Sequence, residues 1–446
     1  MNFTVIGGGP AGCLSAILLA RRGYSVEVFE RRGDPRTTPA EAGRSINLAL
    51  AARGIRALRE AGVFNDIADL MVTMRGRMLH EPDGGELFSR YGQRDDEVIY
   101  SISRAALTQR LIEAARRLPG VRLHFNTPCT GLADNGDVLL REAHSDRPFT
   151  HAAERIIGAD GGGSALRHAL AERGHFTVRE DRLDHDYKEL VIPLREGQPQ
   201  LAMDALHIWP RGGFMLIALP NADGSFTATL FLPRSGNPSF DTLRNAAAIR
   251  EFFAREFPQA IELIPDLTAQ FLAHPQGLLA TVHCPRWRED ERITLIGDAA
   301  HAIVPFHGQG MNCAFEDCRI LDELLTADTS TAFARFEHTR KPDTEAIAAI
   351  SLENYGEMRD TVLDHRFQVQ KELAMTLERR HPQRFIPRYA MVMFHDRIPY
   401  AIAQQRGAVQ QHILDALVPE HAPDNFTPDL HRADQLIAER LDPISA

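Results

Sequence analysis

Lysine is almost missing from this chain. Of its 50 basic side chains only Lys188, Lys341 and Lys371 are lysines, and the rest are arginines. Acidic residues number 60 and the net charge is −10. No basic block interrupts this balance, which excludes an obvious nucleic-acid surface. Tryptophan occurs only at Trp209 and Trp287. The five cysteines, Cys13, Cys129, Cys284, Cys313 and Cys318, form no C-x-x-C pair and no zinc spacing. Neither a disulfide framework nor a metal site is therefore expected. No apolar run approaches the ~20 residues of a membrane span. The first apolar stretch begins at once, leaving no room for a signal peptide. A cytoplasmic protein without a membrane span and without a nucleic-acid partner is expected.

What is present is ordinary in bulk and specific in detail. Apolar residues make up 44% and charged residues 25% of 446 positions. That length allows a large core and two or three domains. The chain is organised around its first dozen residues. Phe3-Thr4-Val5-Ile6 reads as a strand and Ala11 to Ala20 as a helix, with Gly7, Gly9 and Gly12 between and within them in G-x-G-x-x-G spacing. The first glycine allows a tight turn, the second lets a pyrophosphate approach the backbone, and the third lets helix pack on strand. Free N–H groups at the helix start face the phosphates. A second strand, Tyr24 to Glu30, ends in an acid at the distance where a carboxylate binds a ribose hydroxyl. These features together define a dinucleotide site, which a Gly-rich turn alone would not.

Further along, Arg31 to Glu41 reads as a loop, the string 43–50 follows, and the stretch after it to about Leu70 reads as helical. Short strands follow at Met78-Leu79-His80, Glu86-Leu87-Phe88 and Val98 to Ile102, then a helix opened by Ser103-Arg104. Val121 to Phe125, Asp137 to Glu142 and Arg155 to Gly158 read as strands. The pattern from Glu189 to Pro233 is strongly β, Ala246 to Phe257 is an amphipathic helix, and Arg292 to Ile296 is an apolar strand. From Cys313 onward the reading is mainly helical. The expected fold class is α/β: a Rossmann-like unit interrupted by a mainly antiparallel sheet, with a helical C-terminal region. The expected domains are 1–70, 101–175 and 290–345 for the nucleotide, 71–100 and 176–289 for the sheet, and 346–446 for the helices.

Two more strings carry chemistry. Gly297-Asp298-Ala299-Ala300-His301 follows a strand and leads to Gly308-Gln309-Gly310-Met311-Asn312. A carboxylate at the carboxyl end of such a strand sits where these sheets bind ligands. Asp298 could accept from a ribityl hydroxyl, and backbone N–H groups of 308–312 could reach a flavin ring; an ordinary helix cap is the other reading. Ala159-Asp160-Gly161 with Ser164 and Arg167 is either a cofactor-contacting turn or a plain turn with a helix start. His301 and His307 invite an acid/base role, but a structural role is the expected one for both.

GGGPAG near the start, GADGGGSALR in the middle and GDAAH later, in that order, resemble the flavin-dependent aromatic hydroxylases. Within that family, residues 43–50, 206–211, 304–306, 308–312 and 354–359 are similar to the members that hydroxylate kynurenine. The resemblance covers residues 1 to about 405. His307 is a departure, since many members carry Phe there, and the tail beyond matches little and lacks the membrane anchor of some relatives. The resemblance implies a bound FAD, NADPH as co-substrate, and transfer of oxygen from a flavin C4a-hydroperoxide to L-kynurenine, giving 3-hydroxykynurenine. The flavin carries the chemistry, so no catalytic side chain is implied. Arg77 is implied as the carboxylate clamp, with Tyr91 and Tyr389 around it, Asn354 at the amino-acid end and Phe306 against the ring. For FAD the resemblance implies Gly7, Gly9, Ala11, Gly12, Phe29, Glu30, Arg31, Arg32, Ala49, Arg104, Cys129, Asp160, Asp298, Gly310, Met311 and Asn312. No second G-x-G-x-x-G is visible, so NADPH is expected to bind transiently over the same cofactor. A monomer and a homodimer both remain open. So do hydroxylation of another aromatic acid and a non-catalytic flavin-binding regulator. A flavin halogenase does not, because the W-x-W-x-I-P string is missing and no lysine precedes Lys188.

Overall fold

The computed structural model describes residues 1–37, 47–423 and 425–444. The first strand, Asn2–Ile6, buries Phe3, Thr4, Val5 and Ile6 in succession, as a strand covered on both faces must. It is central in a six-stranded sheet ordered 288–289, 293–295, 155–158, 2–6, 25–29, 121–124. All pairings are parallel except the edge strand Arg288–Glu289. Helices Pro10–Arg21 and Gly310–Ala327 cover it, with Leu14, Ile17, Phe315 and Leu321 in one core with Val5 and Val28. This is the Rossmann-like α/β unit expected from the sequence.

A seven-stranded sheet follows, ordered 276–283, 179–192, 226–233, 215–220, 205–210, 76–80, 86–90. It is antiparallel except between Ala205–Pro210 and Gly76–His80. Alternation along Met215–Pro220 gives the sheet two roles. Leu216 and Ala218 face helices Ala246–Glu256, Pro258–Leu263 and Leu267–Ala273, whose Phe252, Phe253 and Phe271 fill that side. Ile217 and Leu219 face the opposite way, into the cavity described below. A small antiparallel sheet of Asn47–Leu50, Ile99–Ser103 and Val72–Met74 lies between the two larger ones in sequence. Asn312 ties it to the 308–312 string: its Nδ2 donates to the Ala49 and Gly308 carbonyls at 2.8 and 2.9 Å, and its Oδ1 accepts from Ala51 N–H at 2.9 Å.

Several strands escape the sequence pattern. Arg179–Ile192 begins ten residues before the β pattern that opens at Glu189, because its first half alternates acids and bases with little apolar signal. It is nevertheless paired on both sides, to Phe226–Pro233 and Gln276–His283. It ends at Ile192, ahead of Pro193. Gln276–His283, Cys129–Leu132 and Arg147–His151 were not anticipated, nor were the two short helices after Glu256. Residues 43–46 of the string 43–50 lie outside the described residues.

The chain closes with helices, as expected. Ala332–Gly356 runs into a π-helical turn, Glu357–Thr361, followed by His365–Arg380, Arg388–Met393, Tyr400–Leu417 and Leu430–Arg440. A buried ion network fastens the first of these to the nucleotide unit. Arg340 bonds Asp317 at 2.7 Å and Glu316 at 2.8 Å, Arg53 bonds Glu316 at 2.7 Å, and His301 Nε2 meets Asp317 at 2.6 Å. Asp317 also accepts from Gly297 N–H at 2.9 Å, which fixes the turn carrying Asp298. His301 is thus a structural histidine. Although His301, Cys313 and Asp317 lie close enough to share an ion, the carboxylate is already shared between two side-chain donors and a backbone donor. Among the described residues no helix is long and apolar enough to cross a membrane.

Candidate active site

Steric necessity explains the glycines. Gly7 adopts φ +104°, and a Cβ there would lie 2.3 Å from the Ala159 carbonyl oxygen. A Cβ on Gly12 would lie 1.9 Å from Gly7 O. These two glycines let strand, helix and the 158–161 turn touch. Gly9 differs: a Cβ there would meet nothing within 4 Å. It faces open space at the start of a helix whose first turn holds no acid and whose N-cap makes no side-chain bond. Unsatisfied N–H groups beside open space are what a pyrophosphate requires.

Glu30 ends its strand almost buried, and its two carboxylate oxygens accept from Gly8 N–H at 2.7 Å and Arg32 N–H at 2.9 Å. Each oxygen keeps a lone pair for a ribose hydroxyl. Phe29 stacks on His124 at 4.6 Å. Arg31 and Arg104 are exposed on the surface, Arg104 at the start of its helix. Cys129 stands close enough to Asp160 to feel its charge, and burial first pushes its thiol up to about 12. Asp160 itself is turned onto its own helix. It accepts from Ser164 Oγ at 2.5 Å and Leu166 N–H at 3.3 Å, and burial raises its pKa. Its neighbour Ala159, not its carboxylate, abuts Gly7.

Asp298 opens a four-residue helix at the end of strand Ile293–Leu295 and is exposed. Gly297 before it, at φ +56°, packs against Ala314 and Ala11. The Asp298 turn therefore meets both the opening helix and the helix that begins at Gly310. Gly308, at φ +66°, packs so close to Ala49 that a Cβ would lie 2.7 Å away. Met311 follows Gly310 in the first turn. The Asn312 carboxamide is consumed by the strand it anchors, so only its backbone remains for a ligand. Glycine turn, Glu30, Asp298 and the helix at Gly310 lie along the carboxyl edge of one parallel sheet. They fit an FAD: open space at Gly9, an uncapped helix N-terminus and an exposed carboxylate for a polyol.

Beside Ala49 and Gly308 begins a second feature, a cavity of about 90 Å³. Its walls are apolar and aromatic: Leu206, Ile217, Leu219 and Phe231 from the sheet, Phe306 and Met358 from above. Phe306 stacks on Tyr355 at 3.9 Å and approaches Phe231 at 4.9 Å. Asn354 does not line this cavity. Its Nδ2 donates to the Phe306 carbonyl at 2.6 Å, so it holds the loop that forms the roof.

Part of the lining is polar. Arg77, 8% exposed, projects from strand Gly76–His80 between two tyrosines. Its guanidinium lies 5.9 Å from the Tyr91 ring and 5.3 Å from the Tyr389 ring, and these rings stack at 5.4 Å. Arg77 Nη1 donates to Glu357 Oε1 at 3.1 Å. Arg77 Nε, the Tyr91 hydroxyl and His307 Nδ1 are buried with no hydrogen-bond partner. Leaving such atoms unmet costs about 1–3 kcal/mol each, so their convergence marks a place for a polar ligand. Burial, opposed by Arg77, pushes the Tyr91 phenol up to about 12, keeping it a donor. Burial and then Arg77 push His307 down to about 3, so it is neutral. The arrangement can grip the anionic group of an aromatic ligand in a cavity that Ala49 and Gly308 also line.

Sequence reasoning missed Glu357, Met358 and Phe231. Glu357 and Met358 sit in the π-turn, where one extra residue per turn re-aims side chains away from simple helical spacing. Phe231 lies on a strand buried on both faces, so no alternation distinguishes it.

This geometry defines an FAD-binding flavoprotein with an aromatic-lined cavity beside the Ala49–Gly308 contact. A family model described as FAD binding domain matches residues 1–348. Kynurenine 3-monooxygenase of Xanthomonas oryzae pv. oryzae is 48% identical over 447 residues, covering 99% of this chain and 98% of that protein. The enzyme of the same name from Stenotrophomonas maltophilia is 49% identical over 424 residues, covering 94% and 93%. The chain belongs to the kynurenine 3-monooxygenase family of FAD-binding proteins. Solved structures share the fold at lower identity. Tetrameric 2-methyl-3-hydroxypyridine-5-carboxylic acid oxygenase has a TM-score of 0.66 at 21% identity, covering 81% of this chain and 93% of its own. PqsL of P. aeruginosa, in complex with 2-aminobenzoylacetate, has 0.65 at 19%, covering 81% and 97%.

Proposed function

We propose that this protein is an FAD-dependent monooxygenase that converts L-kynurenine, NADPH, O2 and a proton into 3-hydroxykynurenine, NADP+ and water. The observation that carries this reading is the Arg77–Tyr91–Tyr389 cluster in the wall of an aromatic-lined cavity that Ala49 and Gly308 also line. Bound FAD supplies the redox chemistry, accepting electrons from NADPH and activating oxygen.

The chain supplies binding, orientation and exclusion of water. Gly9 and the helix start at Ala11 would receive the pyrophosphate of a bound FAD, on a turn whose close packing Gly7 and Gly12 make possible, with Arg31, Arg32 and Arg104 around it. Glu30 would receive the ribose, Phe29 and Cys129 would flank the adenine side, Asp160 backs the glycine turn, and Asp298 would receive the ribityl chain. Ala49 and the backbone at Gly310, Met311 and Asn312 would border the flavin ring. The Arg77 fork takes the substrate carboxylate, for which a planar guanidinium is suited. The Tyr91 and Tyr389 hydroxyls complete that contact. Glu357, displaced from Arg77, faces the ammonium group. Phe306, held by Asn354, presses the aniline ring toward the flavin. The aniline nitrogen donates electrons into its own ring, so no side-chain base is required.

Tyr389→Phe keeps the stacking and removes one hydroxyl. It is expected to raise KM for kynurenine about 3- to 10-fold, one net hydrogen bond, with kcat nearly retained. The proposal is tested by NADPH oxidation across a panel of aromatic acids. Kynurenine should accelerate it most; equal rates with and without kynurenine contradict this substrate and favour another aromatic acid.

A further inference from the structure

A second cavity, of about 190 Å³, adjoins the first and shares Arg77, Tyr91, His307 and Tyr389 with it. The carboxylate clamp is therefore the partition between two chambers. The second chamber has no part in the flavin edge. Its walls are the hairpin end 89–97, the π-turn and helices His365–Arg380, Arg388–Met393 and Tyr400–Leu417. Arg77 reaches into it, because the Glu357 that it bonds lines this chamber and not the first.

We propose that this chamber is an antechamber that binds an aromatic α-amino acid by its carboxylate at Lys371, from which the carboxylate passes to Arg77. The inference rests on the kynurenine reading above and deepens it. Lys371 is one of only three lysines and lines the chamber from helix His365–Arg380. Its Nζ donates to Ser89 Oγ and to the Arg90 carbonyl at 3.2 Å, which leaves the third of its three N–H donors. The charged lining of the chamber mixes both signs: Arg77, Arg90 and Arg388 with Glu97, Glu357 and Glu378. Apolar Phe367, Met375 and Leu414 lie between them. A zwitterion with an aromatic body matches that lining better than a simple anion would. The Glu357 position supports the hand-over. A carboxylate arriving at Arg77 must displace Glu357, and Lys371 is near enough for Glu357 to act on its charge.

The same neighbours give the step a pH signature. Burial, then Arg77, lower Lys371 to about 8, against the opposing pull of Glu357. Lys371 is charged below that pH and neutral above it, so carboxylate capture declines as pH rises through it. An arginine at the same place stays charged throughout.

The test is stopped-flow binding of L-kynurenine to the oxidised holoenzyme, read from the flavin absorbance at pH 7 and 9. Lys371→Met should lower the second-order binding rate about tenfold at pH 7, as expected when a steering charge is lost. The loss should be confined to binding, with kcat at saturation close to wild type and the same flavin content and melting temperature. Lys371→Arg should bind at nearly the wild-type rate at pH 7 and lack the wild-type decline between pH 7 and 9. A binding rate unchanged in Lys371→Met overturns the inference, as does a loss in kcat without a loss in binding rate. A wild-type flavin that ignores kynurenine overturns the substrate reading and this inference with it.

Discussion

Replacing Arg77 by alanine is expected to weaken kynurenine binding by roughly 30- to 1000-fold, or about 2–4 kcal/mol, while FAD stays bound. The magnitude follows from the loss of a fork of charge-assisted hydrogen bonds in a buried site, where Arg77 is 8% exposed. Two further terms act in the same direction. Glu357 loses its partner at 3.1 Å, and its carboxylate then faces the substrate's own. The stacked tyrosine rings also lose the cation beside them. FAD should be spared because Arg77 lies on a strand of the seven-stranded sheet, whereas the glycine turn belongs to the other sheet. A kynurenine titration together with the flavin-to-protein absorbance ratio separates the two effects. Arg77→Lys should recover only part of the loss, because an ammonium cannot fork. Loss of flavin from Arg77→Ala would place Arg77 in the wrong site.

The second large effect divides the glycines into two kinds. Gly12→Ala puts a methyl 1.9 Å from a backbone oxygen, and no flexible side chain can yield. Strand and helix must separate at the centre of the main core, so the variant should be poorly soluble and without flavin. Gly9→Val meets nothing within 4 Å, at a backbone φ of −73° that any residue adopts. The protein should fold and melt like the wild-type apoprotein yet purify colourless, because the new side chain fills the space assigned to the pyrophosphate. Visible absorbance and a melting curve decide this. A yellow Gly9→Val protein would remove this turn from the cofactor site.

The glycine turn was legible because its requirement is local: the strand that ends at Ile6, Gly7, and the helix start carrying Gly12 fix one another within a few residues. The α/β unit followed from it, since a doubly buried strand needs helices on both faces. The substrate end was not legible from pattern. Residues 77, 91, 357 and 389 meet only after two sheets and a helical region assemble, and nothing in their spacing foretells that. Family resemblance supplied Arg77, Tyr91 and Tyr389, and the structure adds Glu357 because a π-turn re-aims it. Asp160 and Asn312 teach the converse. A carboxylate or carboxamide in a cofactor-type string can be consumed by its own turn or a neighbouring strand, and only the hydrogen bonds reveal which. Asn354 is similar: its side chain holds the Phe306 carbonyl, so its contribution to substrate binding is through the roof it supports. Lys371 reads as an ordinary charge on a helix, until the fold sets it beside the chamber next to Arg77.

Hydroxylation of kynurenine is tested most directly by mass spectrometry of the product formed from L-kynurenine, NADPH and 18O2. 3-Hydroxykynurenine carrying one 18O atom should form in step with NADPH consumed. NADPH oxidation that yields only hydrogen peroxide, or a product hydroxylated elsewhere than ring position 3, would contradict it.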